Sequence, residues 1–188
     1  MNNRKIKIGV LGGSFDPAHK GHLAISKEAK KRFKLEKVIW AITKKNPFKI
    51  ESKKSVADRI KFCKKIIGTN SFIKVKFYEK TIKSNKTINL INHLKKDKSI
   101  EIYFLMGADN LINFHKWHKS KLISQKCNIL VFDRHGYKKN SLKSKTFKQL
   151  NKTNLEFIEF NKVNISSCLL YTSPSPRDAT LSRMPSSA

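Results

Sequence analysis

Residues 6–22, which read IKIGVLGGSFDPAHKGH, constrain the fold of this chain more than any other stretch. The short apolar run at 6–11 contains several β-branched residues and ends at two glycines, which predicts a buried strand of a parallel sheet. Gly12 and Gly13 would let the backbone turn sharply and approach a ligand, because no Cβ stands in the way. A helical pattern follows from about Lys20, so the stretch predicts a strand, a tight loop and a helix in succession.

Two histidines, His19 and His22, stand three residues apart where this helix would begin, so their side chains lie on neighbouring faces of its first turn. The unpaired N–H groups and the dipole at a helix start favour an anion, and two imidazoles there could donate hydrogen bonds to phosphate oxygens. A single histidine at such a place is more often a structural cap than a ligand. The stretch is neither a Walker A loop nor a G-x-G-x-x-G fingerprint.

The length and composition fit a single globular domain, because 188 residues with 39% hydrophobic content can bury a sizeable core. No uncharged apolar run of about 18 residues occurs, and the first apolar segment is too short for a secretory signal. We therefore expect a cytoplasmic protein with no membrane partner. Three widely separated cysteines without metal-ligand spacing are interpreted as buried or incidental thiols: Cys63, Cys127 and Cys168.

The formal net charge of +28 has two interpretations. A basic surface can bind nucleic acid or an anionic membrane. Lysine outnumbers arginine 35 to 6, however, and the lysines are spread along the chain without interleaved aromatic residues. We favour the compositional bias of an AT-rich genome. No specific nucleic-acid partner is expected, only non-specific binding to polyanions at low salt.

Strand-like and helix-like segments alternate along the chain. Besides the first strand, apolar runs predict strands at 37–43, 72–77, 100–106, 128–132 and 155–160. Helical patterns are found at 21–33, 55–67, 87–94, 110–114, around 122–123 and at 142–150. Ser55 is the expected N-cap of the second helix, with Asp58 three residues later. The alternation predicts an α/β, Rossmann-like fold: a parallel sheet of five or six strands flanked by helices.

The composition changes abruptly after residue 167. All 35 lysines precede Cys168, and residues 168–188 read CLLYTSPSPRDATLSRMPSSA, which is rich in Ser, Pro and Thr. We therefore divide the chain into a domain at 1–167 and a tail at 168–188. A disordered extension is one interpretation of the tail. We favour another, that the tail is not native coding sequence and follows a frameshift or a read-through into appended DNA.

The opening pattern G-G-S-F-D-P-x-H-x-G-H resembles the signature of nucleotidyltransferases that carry an H-x-G-H motif. Further segments resemble the bacterial nicotinate mononucleotide adenylyltransferases, in family order and over residues 6 to about 167. They are GGSFDPAHKGHL at 12–23, TKKNPFK at 43–49, the region of Thr87, FLMGADNL at 104–111, FHKW at 114–117 and DRHGY at 133–137. The related phosphopantetheine adenylyltransferases share only the first motif, so G-A-D-N with F-H-x-W separates the two families.

The resemblance implies transfer of the adenylyl group of ATP to nicotinate mononucleotide, with release of pyrophosphate. Such an in-line displacement needs positioning and charge neutralisation rather than a protein nucleophile. By resemblance, His19 and His22 are the catalytic residues and hold the ATP phosphates, while Mg²⁺ bridges phosphate oxygens without a dedicated protein site. Main-chain N–H groups of the first loop would contact the nucleotides. The implied ATP- and phosphate-binding set is Gly12, Gly13, Ser14, Phe15, Lys49, Ser166 and Ser167.

A second set of residues is implied for the mononucleotide. Thr87 resembles the threonine that contacts the nicotinate carboxylate, although Lys86 stands where the family has tyrosine. Trp117 resembles the aromatic residue that stacks on the pyridine ring; its spacing alone would favour a core position. Asp109 lies near the ribose or caps a helix, and Arg134 is a substrate-side cation or a surface residue. The implied set is Thr87, Gly107, Asp109, Trp117 and Arg134.

The end of the matching region departs from the family pattern. Members continue I-S-S-[ST]-x-[IL]-R, where a helix N-terminus and the arginine hold the ATP phosphates, but here Ser167 is followed by Cys168 and Leu169 and the arginine is absent. Losing such a contact would cost about 2–4 kcal/mol, a factor of roughly 30 to 1,000 in rate. Two alternatives therefore stay open: a nucleotidyltransferase with another phosphate-bearing acceptor, and a catalytically impaired protein that binds nucleotides or nucleic acid.

Overall fold

The computed structural model describes residues 5–45, 54–133, 136–150 and 154–159. Six strands form one sheet, and every neighbouring pair of strands is parallel. The strands are β1 Ile6–Gly13, β2 Lys37–Ile42, β3 Ile73–Lys76, β4 Ile100–Gly107, β5 Asn128–Phe132 and β6 Leu155–Ile158. The α/β class and the parallel sheet that the sequence predicted are confirmed.

Helices connect the strands. They are α1 Lys20–Phe33, α2 Val56–Ile67, α3 Glu79–Ile82, α4 Thr87–Leu94, α5 Ala108–Asn113, α6 Ser120–Lys126, α7 Lys138–Lys143 and α8 Lys145–Leu150, with a 3-10 turn at Phe114–Lys116. The predicted cap of α2 is confirmed, because the hydroxyl of Ser55 accepts a hydrogen bond from the N–H of Asp58 at 3.1 Å. The single helix expected at 142–150 is wrong: two short helices occupy 138–150, separated at Ser144, whose backbone is extended.

The strand order is β3-β2-β1-β4-β5-β6. The chain therefore builds outward from β1 to one edge of the sheet, returns to the middle at β4, and builds outward to the other edge. The reversal lies between β1 and β4, which run side by side from Ile6 and Ile100 onward. In open α/β sheets of this kind, ligands bind in the crevice beyond the carboxyl ends of the strands at the reversal point.

Two apolar layers cover the sheet, because side chains of a strand alternate between its faces. Ile102, Phe104 and Met106 of β4 lie in the layer that contains residues of α4, α5 and α6. Tyr103 and Leu105 lie in the layer that contains residues of α1 and α2. The central strands are thus buried on both faces, which explains why they appear in the sequence as nearly continuous hydrophobic runs.

The two cysteines in the described part of the chain are buried thiols, and their burial makes a prediction about alkaline stability. Burial raises the pKa of Cys63 and of Cys127 from 9.0 to about 12, although Arg59 and Lys95 respectively oppose the shift. Above pH 9 the unfolded thiols ionise while the native ones keep their protons. The free energy of unfolding should then fall by up to about 1.4 kcal/mol per pH unit for each thiol.

Urea unfolding of a Cys168→Ser variant at about pH 8 and pH 10 would measure this effect, with Cys63→Ala and Cys127→Ala added as controls. The controls should lose less stability over the same pH interval. An equal loss with and without the two thiols would contradict the prediction.

Candidate active site

The loops that follow β1 and β4 flank the reversal point of the sheet, and the main sequence motifs lie on them. The first loop contains Ser14 to Pro17 and leads into α1 at Lys20. The second passes directly from Gly107 into α5, with no residue between strand and helix. The structure thus brings G-G-S-F-D-P and G-A-D-N, which are about ninety residues apart in the chain, to adjacent strand ends.

Gly12 and Gly13 do not form the sharp turn that the sequence predicted. They are the last two residues of β1 and pair in register with Ala41 and Ile42 of β2. A Cβ at either glycine would meet only ordinary contacts, the nearest being an atom of the Phe15 ring at 3.5 Å from Gly13. The prediction of a turn at these residues was wrong, because the strand pairing with β2 continues through both of them.

The turn is made by Phe15 and the cis peptide bond between Asp16 and Pro17. Phe15 has a φ of 50°, in the left-handed region that residues other than glycine rarely adopt. Packing holds it there, since its ring is 2% exposed and stacks on Trp40 with 5.1 Å between centroids and 15° between planes. The sequence implied a role for the backbone N–H of Phe15; the structure adds that its side chain anchors the loop.

His19 and His22 together cap the N-terminus of α1. His19 is the N-cap residue, and its Nδ1 accepts a hydrogen bond from the N–H of Gly21 at 3.1 Å. Nδ1 of His22 accepts in turn from the N–H of His19, also at 3.1 Å. The pair forms a capping box in which histidines replace the usual Ser or Thr and Glu. The two rings stack with 3.8 Å between their centroids.

These caps determine which nitrogen of each ring carries the proton. A nitrogen that accepts an N–H cannot also hold a proton, so the neutral rings of His19 and His22 are protonated on Nε2. Each Nε2–H is therefore a donor at the start of a helix, where the backbone already favours an anion. The structural and the functional interpretations of the histidines are compatible, because each cap uses Nδ1 and the ring proton is then on Nε2.

The ring of His22 is held by aromatic packing and by a hydrogen-bonded chain. It lies 4.8 Å from the Phe15 ring and 5.9 Å from the Trp40 ring, measured between centroids. Nε1 of Trp40 donates to the hydroxyl of Ser26 at 2.8 Å, and that hydroxyl donates to the carbonyl of His22 at 2.8 Å. Both Trp40 and Ser26 are fully buried. This support restricts the orientation of the imidazole before any ligand binds.

Two residues that the sequence did not indicate lie beside the loop after β2. A carboxylate oxygen of Glu79 accepts from the Thr43 hydroxyl at 2.5 Å and from the N–H of Lys44 at 3.1 Å. The buried guanidinium of Arg59 contacts the same loop and the loop after β1. One signal in the sequence could have pointed to Arg59: it is one of only 6 arginines among 41 basic residues, and it lies four residues before Cys63 on the apolar face of α2.

At the end of β4, Gly107 and Asp109 are sterically coupled. The N-cap of α5 is Gly107, so the alternative that Asp109 caps a helix is wrong. A Cβ on Gly107 would lie 2.5 Å from Oδ1 of Asp109, closer than real contacts allow. The φ of Gly107, −79°, is available to any residue, so the reason for a glycine here is the space taken by the Asp109 carboxylate, which a side chain would have to displace. The missing side chain lets the Asp109 carboxylate fold back over the strand end.

Replacing Gly107 by alanine should therefore displace the Asp109 carboxylate and cost about 1–3 kcal/mol of unfolding free energy. Urea unfolding would measure the loss. In the matched double variant, Asp109→Ala removes the atom that clashes, so Gly107→Ala should cost little in that background. An equal cost in both backgrounds would mean that a clash with Asp109 does not explain why Gly107→Ala is destabilising.

Thr87 and Trp117 lie on the opposite side of the sheet from the histidines. Thr87 is the first residue of α4, after Lys86 at the N-cap, and α4 packs in the same apolar layer that Trp117 contacts. The half-buried indole of Trp117 lies edge-on to Phe104 and tilted against Phe114, with centroid distances of 6.1 Å and 5.2 Å. Trp117 therefore contacts the core, as its spacing alone favoured, and keeps part of its surface exposed.

Some sequence-derived assignments fall outside the described residues, namely Lys49, Arg134, Ser166, Ser167 and the whole tail at 168–188. Among the residues that are described, no group of three or more His, Cys, Asp or Glu side chains is arranged to hold a metal ion. In the same part of the chain, no helix is long and apolar enough to cross a membrane.

A parallel α/β sheet with two histidines that cap a helix beside its reversal point defines a nucleotide-binding protein of the Rossmann-like class. The chain belongs to the cytidylyltransferase-like family, whose model matches residues 10–172. Its relatives place it more narrowly, among the nicotinate-nucleotide adenylyltransferases.

The probable nicotinate-nucleotide adenylyltransferase of Pelagibacter ubique is 67% identical over 170 residues, which cover 90% of this chain and 94% of the relative. That of Agrobacterium fabrum is 37% identical over 131 residues, covering 69% of this chain and 70% of the relative. A solved structure of the Plasmodium falciparum nicotinic acid mononucleotide adenylyltransferase with NaAD has a TM-score of 0.69 at 20% identity, covering 87% and 81% of the two chains. That likeness confirms the fold.

Proposed function

We propose that this protein transfers the adenylyl group of ATP to nicotinate mononucleotide, giving nicotinate adenine dinucleotide and pyrophosphate in NAD biosynthesis. The observation that carries the proposal is the identity of 67% to the probable nicotinate-nucleotide adenylyltransferase of Pelagibacter ubique, over 94% of the length of that relative. The histidine pair at the reversal point of the sheet provides the hydrogen-bond donors for the phosphates. An oxygen of the mononucleotide phosphate attacks the α-phosphorus of ATP, and the bond from that phosphorus to the oxygen bridging it to the β-phosphorus breaks.

In this proposal the protein positions two anions and stabilises the charge that develops between them. The Nε2–H groups of His19 and His22 donate to phosphate oxygens of ATP, including the bridging oxygen that leaves with pyrophosphate. The N–H groups of Ser14 and Phe15 contact the same phosphates just beyond the strand end, whereas Gly13, which was also expected to do so, is still paired with β2. Donors that are already oriented cost no reorganisation when the charge shifts, which is the largest source of rate in such reactions.

The acceptor, nicotinate mononucleotide, occupies the side of the crevice formed by the carboxyl end of β4 and the start of α4. In this proposal Trp117 stacks on the pyridine ring, and Thr87, the first residue of α4, binds the nicotinate carboxylate. The family generally requires a divalent cation with ATP, and we propose Mg²⁺, which takes few protein ligands and many water and phosphate oxygens. A bound cation would supply positive charge to neutralise the departing pyrophosphate.

The test is pyrophosphate release from ATP, Mg²⁺ and nicotinate mononucleotide, measured beside nicotinamide mononucleotide and phosphopantetheine as alternative acceptors. The assay should be run on this chain and on a matched chain that ends with the family-like S-S-T-x-I-R and a helix. We expect nicotinate mononucleotide to be the preferred acceptor and the second chain to be the faster enzyme. Preference for another acceptor, or no turnover by either folded chain, would overturn the proposal.

A further inference from the structure

Arg59 is a buried arginine on α2 that contacts three separate segments of the chain. It is 2% exposed, although it carries a charge that normally stays in water. Its Nη1 donates to the carbonyl of Ser14 at 2.6 Å and to the carbonyl of Thr43 at 2.8 Å. Its Nη2 donates to the carbonyl of Lys44 at 3.3 Å, and its Nε to that of Lys54 at 3.2 Å. The loops after β1 and β2 are therefore tied together by one side chain.

The contact with Ser14 determines where the next backbone N–H points. The C=O and N–H of a trans peptide unit lie in one plane and point in opposite directions. Because Arg59 holds the carbonyl of Ser14, the N–H of Phe15 points away from the guanidinium. The buried Phe15 ring, stacked on Trp40, holds the other end of the same loop. The amide of Phe15 is thus oriented at the carboxyl end of β1, where α1 and its histidine caps begin.

The peptide unit between Thr43 and Lys44 provides an internal comparison. Its carbonyl is held by Arg59, and its N–H donates to the Glu79 carboxylate at 3.1 Å. Both ends of this unit are therefore occupied by protein groups. In the unit between Ser14 and Phe15, Arg59 holds the carbonyl end, so the N–H at the opposite end points away from the guanidinium.

We propose that Arg59 is a positioning residue for the nucleotide site: through the carbonyl of Ser14 it orients the N–H of Phe15 toward a phosphate. The proposal rests on the proposed function for the identity of the nucleotide. The planar fork of arginine suits this task, because it can bind several carbonyls in fixed directions, whereas lysine presents a single ammonium. Among the described residues, the four groups that accept hydrogen bonds from the guanidinium are all backbone carbonyls, which such a fork can hold in fixed directions.

Variants Arg59→Lys and Arg59→Met test the positioning role, with Arg32→Met as the matched control. Arg32 also donates to a backbone carbonyl, that of Glu159 at 2.8 Å, but it lies on the exposed surface of α1. Each variant is compared in its dissociation constant for ATP, its dissociation constant for pyrophosphate, its kcat, and its KM for each substrate. Measurements are made well below the Tm of every variant, so that only folded protein is compared.

Arg59→Met should lower kcat/KM for ATP by about 10²-fold, the loss expected when a reacting group is misplaced by about an ångström. The KM for the mononucleotide should change much less, and Arg59→Lys should recover part of the ATP affinity. Arg32→Met should behave like the parent protein. A folded Arg59→Met or Arg59→Lys protein with parental dissociation constants for ATP and pyrophosphate would overturn the proposal, whatever its Tm.

An experiment on the parent protein covers the case in which the variants do not fold. In a ¹H–¹⁵N spectrum, pyrophosphate should shift the amide resonance of Phe15 strongly and that of Lys44 weakly, because Lys44 already donates to Glu79. Equal or absent shifts would contradict the assigned orientation. These binding measurements need no turnover, so they separate a failure of the Arg59 proposal from a failure of the adenylyl-transfer proposal.

Discussion

Replacing His19 by alanine should lower kcat for pyrophosphate release by at least about 10²–10³-fold, the cost of removing one oriented donor from a site of developing charge. The same change removes the N-cap of α1, because Nδ1 of His19 accepts from the N–H of Gly21. We therefore also expect a loss of about 1 kcal/mol in the free energy of unfolding. Steady-state kinetics and urea unfolding on the same preparation would measure both effects.

Two further variants distinguish the two roles of His19, the cap made by Nδ1 and the hydrogen bond donated by Nε2. The side-chain oxygen of asparagine can take the place of Nδ1, so His19→Asn should keep the stability of α1 while losing the Nε2–H and the activity. The amide nitrogen of glutamine lies closer to the position of Nε2, so His19→Gln should keep more activity and less stability. A His19→Ala or His19→Asn enzyme with most of its turnover would show that His19 serves only as a cap.

The fold could be predicted from the sequence because its main signals are local. Short apolar runs between charged helical segments are enough to indicate strands that are buried on both faces. Segment boundaries agree with the structure within two residues for most strands, and the helix at Thr87–Leu94 agrees at both ends. The four-residue helix Glu79–Ile82 was missed because one helical turn leaves no periodic pattern.

The errors at the site come from interactions that are distant in sequence. Gly-Gly favours a turn on local grounds, yet parallel pairing with β2 keeps both residues extended. The turn falls on Phe15, whose left-handed backbone is stabilised by Trp40, 25 positions away. Arg59 was missed for the same reason, since its acceptors Ser14 and Thr43 lie 45 and 16 positions from it. The histidines could be identified because their spacing and their helix are local.

A Trp117 variant tests the part of the site that is proposed to bind nicotinate mononucleotide. Replacing it by alanine should raise the KM for nicotinate mononucleotide by a factor of roughly 5 to 150, because aromatic stacking contributes about 1–3 kcal/mol per base. The KM for ATP and kcat should change little, since the histidines lie on the other side of the sheet. Some stability will also be lost, because the indole contacts Phe104 and Phe114 in the core.

Leu122→Ala is the matched control for lost packing, because Leu122 contacts the same apolar layer from α6. It should lose stability without a change in the KM for the mononucleotide, and Trp117→Phe should recover most of the affinity by restoring a flat ring. Fluorescence gives an independent measure: the chain has two tryptophans, and Trp40 is fully buried. Quenching by the mononucleotide should therefore come from Trp117 and disappear in Trp117→Phe. An unchanged KM in Trp117→Ala would assign the indole to the core alone, and the pyridine ring would then need another surface in the crevice.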